Sequence, residues 1–325
     1  MNTTKIALIL GATGGVGHET ALAFSKRGWR IRALHRDPAR VASSLPEAEW
    51  VAGDTMNARD VLAAADGAAL IVHGVNPPGY RNWERLALPM LENTIAAARS
   101  SDARIIFPGT VYNYGPDAFP LLSESMPQKP RTRKGAIRVA MERRLQRASE
   151  EANVRVLILR GGDFFGPNMG NSWFSQALVK PGAPFKAITY PGRPEVGHAW
   201  AYLPDFAETI ARLVERDEAL GTFETYHFGG HWFERGIEIA ERVRTVARAP
   251  GLPIRRFPWV AVVALSPFVQ LFRELAEMRY LWTTAVRLDN SKLRVVLGGE
   301  PHTDIDLALH RTLAALGCAA APVLP

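Results

Sequence analysis

The 325 residues, 47% hydrophobic and 22% charged, are ordinary for a globular chain and sufficient for one large α/β unit or two smaller ones. The single cysteine, Cys318, excludes an internal disulfide and fits a reducing compartment, so a cytoplasmic location is expected. The formal charge of +7 is concentrated in residues 129–147, which hold no aromatic side chain and no nucleic-acid module, so a solvated helix face beside an anionic cofactor is expected rather than a nucleic-acid partner.

In chain order, Ile6–Leu10 reads as a buried strand that begins too close to Met1 to leave room for a cleavable signal. The glycine turn Gly11-Ala12-Thr13-Gly14-Gly15-Val16-Gly17 follows, then a helical pattern over His18–Arg27. Strand, glycine turn and helix are what a dinucleotide pyrophosphate needs: backbone N–H groups approach it, and the helix N-terminus adds unpaired donors. Further strand-length apolar runs are Arg30–Leu34, Trp50–Ala52, Ala69–His73, Arg104–Pro108 and Val154–Leu159. Helical patterns over Ala58–Ala65, Trp83–Arg99 and Lys134–Ala152 alternate with them. Such alternation predicts a doubly wound parallel sheet, covered on both faces, over residues 1–166.

Beyond Gly166 the pattern breaks into glycine- and proline-rich loops. A helix is expected over Pro204–Glu215, a strand over Glu224–Phe228, and more helices from Phe233 onwards. Residues 167–325 therefore read as a smaller, mainly helical substrate lobe, with part of about 195–228 returning to the first domain. The longest apolar stretch, Phe257–Phe272, is interrupted by Pro258 and Pro267 and is shorter than the roughly 20 residues of a spanning helix. A packed helix pair is expected there, and no membrane partner. The cleft between the lobes, beyond the carboxyl ends of the strands, is the expected site for a small-molecule substrate.

The second strand ends Ala33-Leu34-His35-Arg36-Asp37-Pro38, and Arg36 stands where an arginine pairs with an adenosine 2′-phosphate. Asp37 before Pro38 reads as a helix N-cap rather than a ribose ligand. NADP(H) is therefore expected in preference to NAD.

Several segments together resemble the extended and atypical short-chain dehydrogenase/reductases, the NAD-dependent epimerase/dehydratase family. Gly11, Gly14 and Gly17 match its GxxGxxG. Gly53-Asp54 is similar to the segment whose Asp holds adenine, and Val72-His73-Gly74-Val75 to the loop that lines the cofactor. Phe107–Gly115 resembles the segment in which Thr110 would touch the reacting carbonyl, and Leu159–Pro167 resembles LRxxNxxGP. Asp289–Leu293 with Leu297-Gly298 is similar to the closing DxxKxxxLG. The resemblance implies a Rossmann domain, cofactor contacts from Gly11, Thr13, Gly14, Gly15, Val16, Gly17, Arg36, Asp54, His73, Gly74 and Val75, and a possible homodimer.

The chain departs from that pattern where the chemistry should lie. Alignment by the apolar face Ile137, Met141 and Leu145 puts Lys134 and Arg138 at the two positions of YxxxK, with Glu142 a turn further. Spaced by four, Lys134 and Arg138 are expected to point into one cleft. Arg138 can grip ribose or phosphate oxygens but cannot act as a base. Lys134 can donate a proton if burial and the Arg138 cation depress its pKa, and Tyr112 or Tyr114 can supply the missing phenol. Asp163 replaces the asparagine that helps hold a nucleotide-sugar diphosphate, and a carboxylate there would repel it. The expected activity is an NADP(H)-dependent oxidoreductase on a carbonyl or alcohol, with Thr110, Tyr112, Lys134 and Arg138 as candidate catalytic residues. A catalytically silent NADP(H)-binding protein and a nucleotide-sugar epimerase/dehydratase are the alternatives. His227 and His231 lack further spaced ligands, so no metal is expected, and without a GxSxG elbow a hydrolase is not indicated.

Overall fold

Strand β1 (Ile6–Leu10) is almost entirely buried, as a strand covered on both faces must be, and the glycine turn carries it into helix α1 (Gly15–Ser25). In the computed structural model, which describes residues 4–77, 82–170, 172–183 and 186–318, the alternation then continues. It runs through β2 (Arg30–His35), α2 (Pro38–Val41), β3 (Glu49–Ala52), α3 (Ala58–Ala64), β4 (Ala68–His73), α4 (Trp83–Ser101) and β5 (Arg104–Thr110). A two-residue strand, β6 (Leu121–Leu122), precedes α5 (Arg133–Ala152) and β7 (Val156–Gly161). Local chemistry sets the helix boundaries. The Thr132 hydroxyl accepts from the Gly135 N–H at the start of α5, Asn57 caps α3, and Asn153 ends α5 in the left-handed conformation. α1 starts three residues earlier than its apolar pattern implied, because Gly15–Gly17 form its first turn.

After β7 come β8 (Asp163–Phe165), β9 (Ile188–Tyr190), β10 (His198–Tyr202), α6 (Leu203–Val214) and β11 (Phe223–His227). The main sheet has seven strands in the order β11-β7-β5-β4-β1-β2-β3, all neighbours parallel. One face is packed by α1 and α6 through Phe24, Phe206, Ile210 and Leu213. The other is packed by α3, α4 and α5 through Val61, Leu91, Met141 and Leu145. α6 and β11 thus belong to the main sheet and its covering layer, and Arg27, just past the end of α1, fastens α6 by paired bonds to Glu208.

The remaining elements are β12 (His231–Phe233), α7 (Glu238–Val246), β13 (Ile254–Arg256), α8 (Trp259–Leu265), α9 (Gln270–Met278), β14 (Arg287–Leu288), α10 (Ser291–Leu297) and α11 (Ile305–Ala315). The second lobe adds three small sheets, β12-β10-β8, β13-β9 and β14-β6, to the expected helices. Strands of two to five residues leave too short a pattern to be read from periodicity. Their core is aromatic: Phe165, Phe174, Trp200, Tyr202 and Trp282 are all fully enclosed.

Candidate active site

Gly11 has φ +91°, a left-handed value, and lies so close to the next loop that a Cβ would come 2.8 Å from the carbonyl of Gly74. A Cβ on Gly17 would collide with the Gly11 carbonyl, so α1 can begin hard against the turn only with glycine there. Gly14 is the N-cap and brings no side-chain acceptor, which leaves the first-turn N–H groups of α1 for an anion. A cleft of about 750 Å³ passes over them. It runs from Arg36, Gly53 and Asp54 past Gly11, Thr13, Gly14, Gly15 and Val16 to Gly74, Val75, Asn76 and Pro77, with Asn168, Met169 and Gly170 opposite. Size, shape and donor set fit a dinucleotide.

The side chains along the cleft divide the predicted residues. Arg36 is exposed on its rim. Asp37 turns away to cap α2, accepting from the Arg40 N–H at 3.3 Å. Asp54 lines the cleft and accepts from the Met56 N–H at 2.9 Å. His73 is not among the lining residues. Its ring is buried beneath them, bonded through Nδ1 to Thr94 Oγ1 at 2.8 Å and stacked on Phe107. Burial, aided by the Arg138 cation, lowers its pKa to about 3, so it stays neutral.

Behind Asn76 of the cleft wall, and not itself among the lining residues, the buried Arg138 guanidinium lies over the rings of Trp83 and Phe107, 5.4 and 5.3 Å from their centroids. It donates to Asn76 Oδ1 at 2.9 Å and to the Pro108 carbonyl at 3.4 Å. Lys134, one turn earlier, does not share this space. It lines a neighbouring pocket of about 280 Å³ with Trp83, Arg133 and Gln270, and its Nζ is 2.9 Å from Glu274 Oε2 on α9. Both partners are at least 95% buried. The expectation of one shared cleft is thus corrected: the Trp83 ring, against which Arg138 lies, also walls the Lys134 pocket. Desolvation lowers the pKa of Lys134, and the Glu274 carboxylate acts against it. The cation that adds to the depression is Arg133, not Arg138 as the spacing suggested.

Further along α5, Glu142 is enclosed and accepts two bonds from Arg160 on β7 and one from Gln128 at 2.6 Å. Arg160 also donates to His227 Nε2 at 3.1 Å. Since Nε2 accepts, His227 carries its proton on Nδ1, which donates to the Leu122 carbonyl. Burial and the Arg160 cation hold the His227 pKa at about 3.

Met169 is shared between the cleft over α1 and a smaller cavity of about 80 Å³ lined by Thr110, Tyr112, Asp163, Ser172 and Trp173. Tyr112 therefore borders this cavity, whereas Tyr114 is fully enclosed beneath the Arg160 guanidinium. Thr110 Oγ1 accepts from the Tyr112 N–H at 3.3 Å, which orients the end of β5. Asp163 receives a 2.8 Å bond from His198 Nε2, and the His198 ring is stacked on Trp282 at 4.1 Å. Neither this pair nor the Lys134–Glu274 pair is legible in the sequence, because each joins residues far apart in the chain with no local spacing to mark it. Among the described residues, no group of three or more His, Cys, Asp or Glu side chains comes together as a metal site.

Residues 7–229 match the NAD dependent epimerase/dehydratase family. The fold is similar to UDP-N-acetylglucosamine 4-epimerase from Bacillus cereus, with a TM-score of 0.73 at 16% identity over 99% of this chain and 100% of that one. It is also similar to UDP-glucose 4-epimerase from Bifidobacterium longum in complex with NAD+ and UDP, with a TM-score of 0.74 at 15% identity over 95% and 97% of the two chains. A 3-diazoavenalumate denitrifying reductase from a Streptomyces species is 29% identical over 180 residues, covering 50% of this chain and 57% of that protein. The chain thus spans little more than half of the reductase it matches. With its glycine turn, seven-stranded parallel sheet and matched span of 7–229, the chain belongs to the NAD-dependent epimerase/dehydratase family.

Proposed function

We propose that the protein is an NADP(H)-dependent reductase, or in reverse a dehydrogenase, of a small carbonyl or alcohol substrate. The observation that carries this reading is the junction at Met169, where the dinucleotide cleft meets the cavity walled by Thr110, Tyr112 and Asp163. In this reading, Gly11–Gly17 hold the pyrophosphate, Arg36 pairs with the 2′-phosphate, Asp54 meets the adenine and Arg138 holds the nicotinamide-side ribose. When bound, the nicotinamide supplies or accepts a hydride equivalent at the substrate carbon. The chain's own part is to hydrogen-bond the substrate oxygen through Thr110 and to move one proton to or from it. Tyr112, on the same cavity, is the nearer candidate proton donor; Lys134, with its burial-lowered pKa, opens on a separate pocket and is a candidate only through intervening water. Asp163, an acceptor-only group beside His198, speaks against a nucleotide-sugar diphosphate in that cavity.

A second reading has one specific observation in its favour. The Lys134 ammonium is engaged by Glu274, as it would be in a protein that retains NADP(H) without turnover. Both readings are tested with NADPH over a panel of carbonyl compounds, using Arg138→Ala, Tyr112→Phe and Lys134→Met. The enzyme reading expects wild-type turnover and a loss of about 100-fold in Arg138→Ala and in at least one of the other two. Tight binding of NADPH and NADP+ with no turnover on any substrate selects the silent protein. Wild-type rates in Arg138→Ala and in the Tyr112→Phe/Lys134→Met double variant discard the proposed machinery.

A further inference from the structure

Residues 257–272 contain no charged side chain. Where a packed helix pair was expected they form α8 and only the start of α9, and much of their apolar surface faces outward. Val260 is 87% and Phe268 85% exposed, and Val263, Leu265, Val269 and Leu271 beside them are 38–46% exposed. The inner side is already fastened. Trp259 Nε1 donates to the Pro191 carbonyl at 2.6 Å, Val262 is buried, and Trp173 packs against Phe257 and Trp259. The outer residues are therefore surplus to the fold's own core, and a contiguous patch of this kind marks a contact surface.

The charges around the patch have one sign. Arg255 and Arg256 are exposed immediately before α8. Arg273 reaches the Pro267 carbonyl at the turn of the pair, and Arg279 lies over the Trp259 ring. The two acids of α9 are drawn inward: Glu274 to Lys134 and Arg133, Glu277 to Arg133. An apolar surface framed by arginines complements the apolar interior and anionic headgroups of a lipid surface. A second copy of the chain is a poorer complement. Two-fold pairing through this face would bring the Arg255, Arg256 and Arg273 clusters of both copies together with no exposed acid of the segment between them. The helices are of seven and nine residues, and no described helix is long and apolar enough to cross a membrane.

We propose that the outer face of α8–α9 docks on an anionic lipid surface, lying in the interface without spanning it. The proposal is independent of the assigned chemistry. It has a consequence for it: Trp173, against which the inner side packs, also walls the Thr110 cavity, so docking sets that cavity beside the lipid.

The test is co-sedimentation of the full chain with vesicles of phosphatidylcholine, with or without about one-third phosphatidylglycerol. The wild-type chain is expected to pellet with the anionic vesicles and to be released by salt. Val260→Asp/Phe268→Asp should reduce binding at least tenfold, and Arg255→Glu/Arg256→Glu should abolish the preference for anionic lipid. Circular dichroism and NADPH titration show whether these variants remain folded. No pelleting of the wild-type chain with anionic vesicles overturns the proposal, as does unchanged pelleting of a folded Val260→Asp/Phe268→Asp variant. A wild-type dimer that this double substitution converts to a monomer, with no vesicle binding by either, assigns the face to a second copy instead.

Discussion

Helix α5 carries two buried ion pairs, and they are built for different ends. Glu142, at its middle, is held by Arg160 and Gln128 behind the main sheet, with His227 completing the network. Lys134, in its first turn, reaches across to Glu274 on α9 of the second lobe and borders a pocket of about 280 Å³. One pair is sealed within a single unit. The other joins two units beside open space, where a proton can be exchanged. Similar burial therefore yields a structural pair in one place and a candidate reactive one in the other.

The largest effect expected from this contrast belongs to Glu142→Ala, which strands the Arg160 guanidinium in the core and should cost about 3–5 kcal/mol in chemical denaturation. A loss below about 1 kcal/mol would remove the distinction between the pairs. Glu274→Gln should cost less, about 1.5–3 kcal/mol, because the amide still accepts a hydrogen bond and the pocket admits water to Lys134. It should also act on chemistry. Glu274 raises the pKa of Lys134, so its neutralisation lowers that pKa further, and the alkaline limb of the pH–rate profile should move to lower pH if Lys134 is the proton donor. A stationary limb would assign the proton to Tyr112.

An effect that builds only as pH falls concerns His227, whose native pKa of about 3 lies below the ordinary value of 6.5. Between these values the unfolded chain binds a proton that the native chain does not, so stability falls as pH falls. The contribution is up to about 1.4 kcal/mol per pH unit and is complete once pH drops through the native value. His227→Gln should flatten the acid limb of the stability profile by that amount, measured by denaturation at pH 4, 5 and 6. An unchanged slope would show that the ring is not held neutral by Arg160 and burial.

The sheet was legible because its strands carry short apolar runs, unbroken over Ile6–Leu10, Ala68–Val72 and Val156–Leu159, that alternate with helical patterns, and both signals are local. The glycine turn was legible for the same reason: the left-handed Gly11 and the close Gly11–Gly17 approach demand glycine at fixed spacing. The strands of the three small sheets were not, because all but β10 have only two or three residues and carry no usable period. The partners of the candidate catalytic residues were hidden too. Glu274 for Lys134 and His198 for Asp163 are set by packing of the second lobe onto the first, and no spacing within either segment announces them. The spacing of Lys134 and Arg138 placed both at the start of α5, but it did not reveal the Trp83 ring, which walls the Lys134 pocket and carries the Arg138 guanidinium.

The central claim, that the cleft over α1 takes a phosphorylated dinucleotide recognised by Arg36, is tested most directly by calorimetric titration with NADPH and NADH, on the wild-type chain and on Arg36→Ala. The account predicts NADPH binding at least about tenfold tighter than NADH, a difference of about 1.4 kcal/mol that disappears in Arg36→Ala. Equal or tighter binding of NADH, or no heat with either nucleotide, would contradict it.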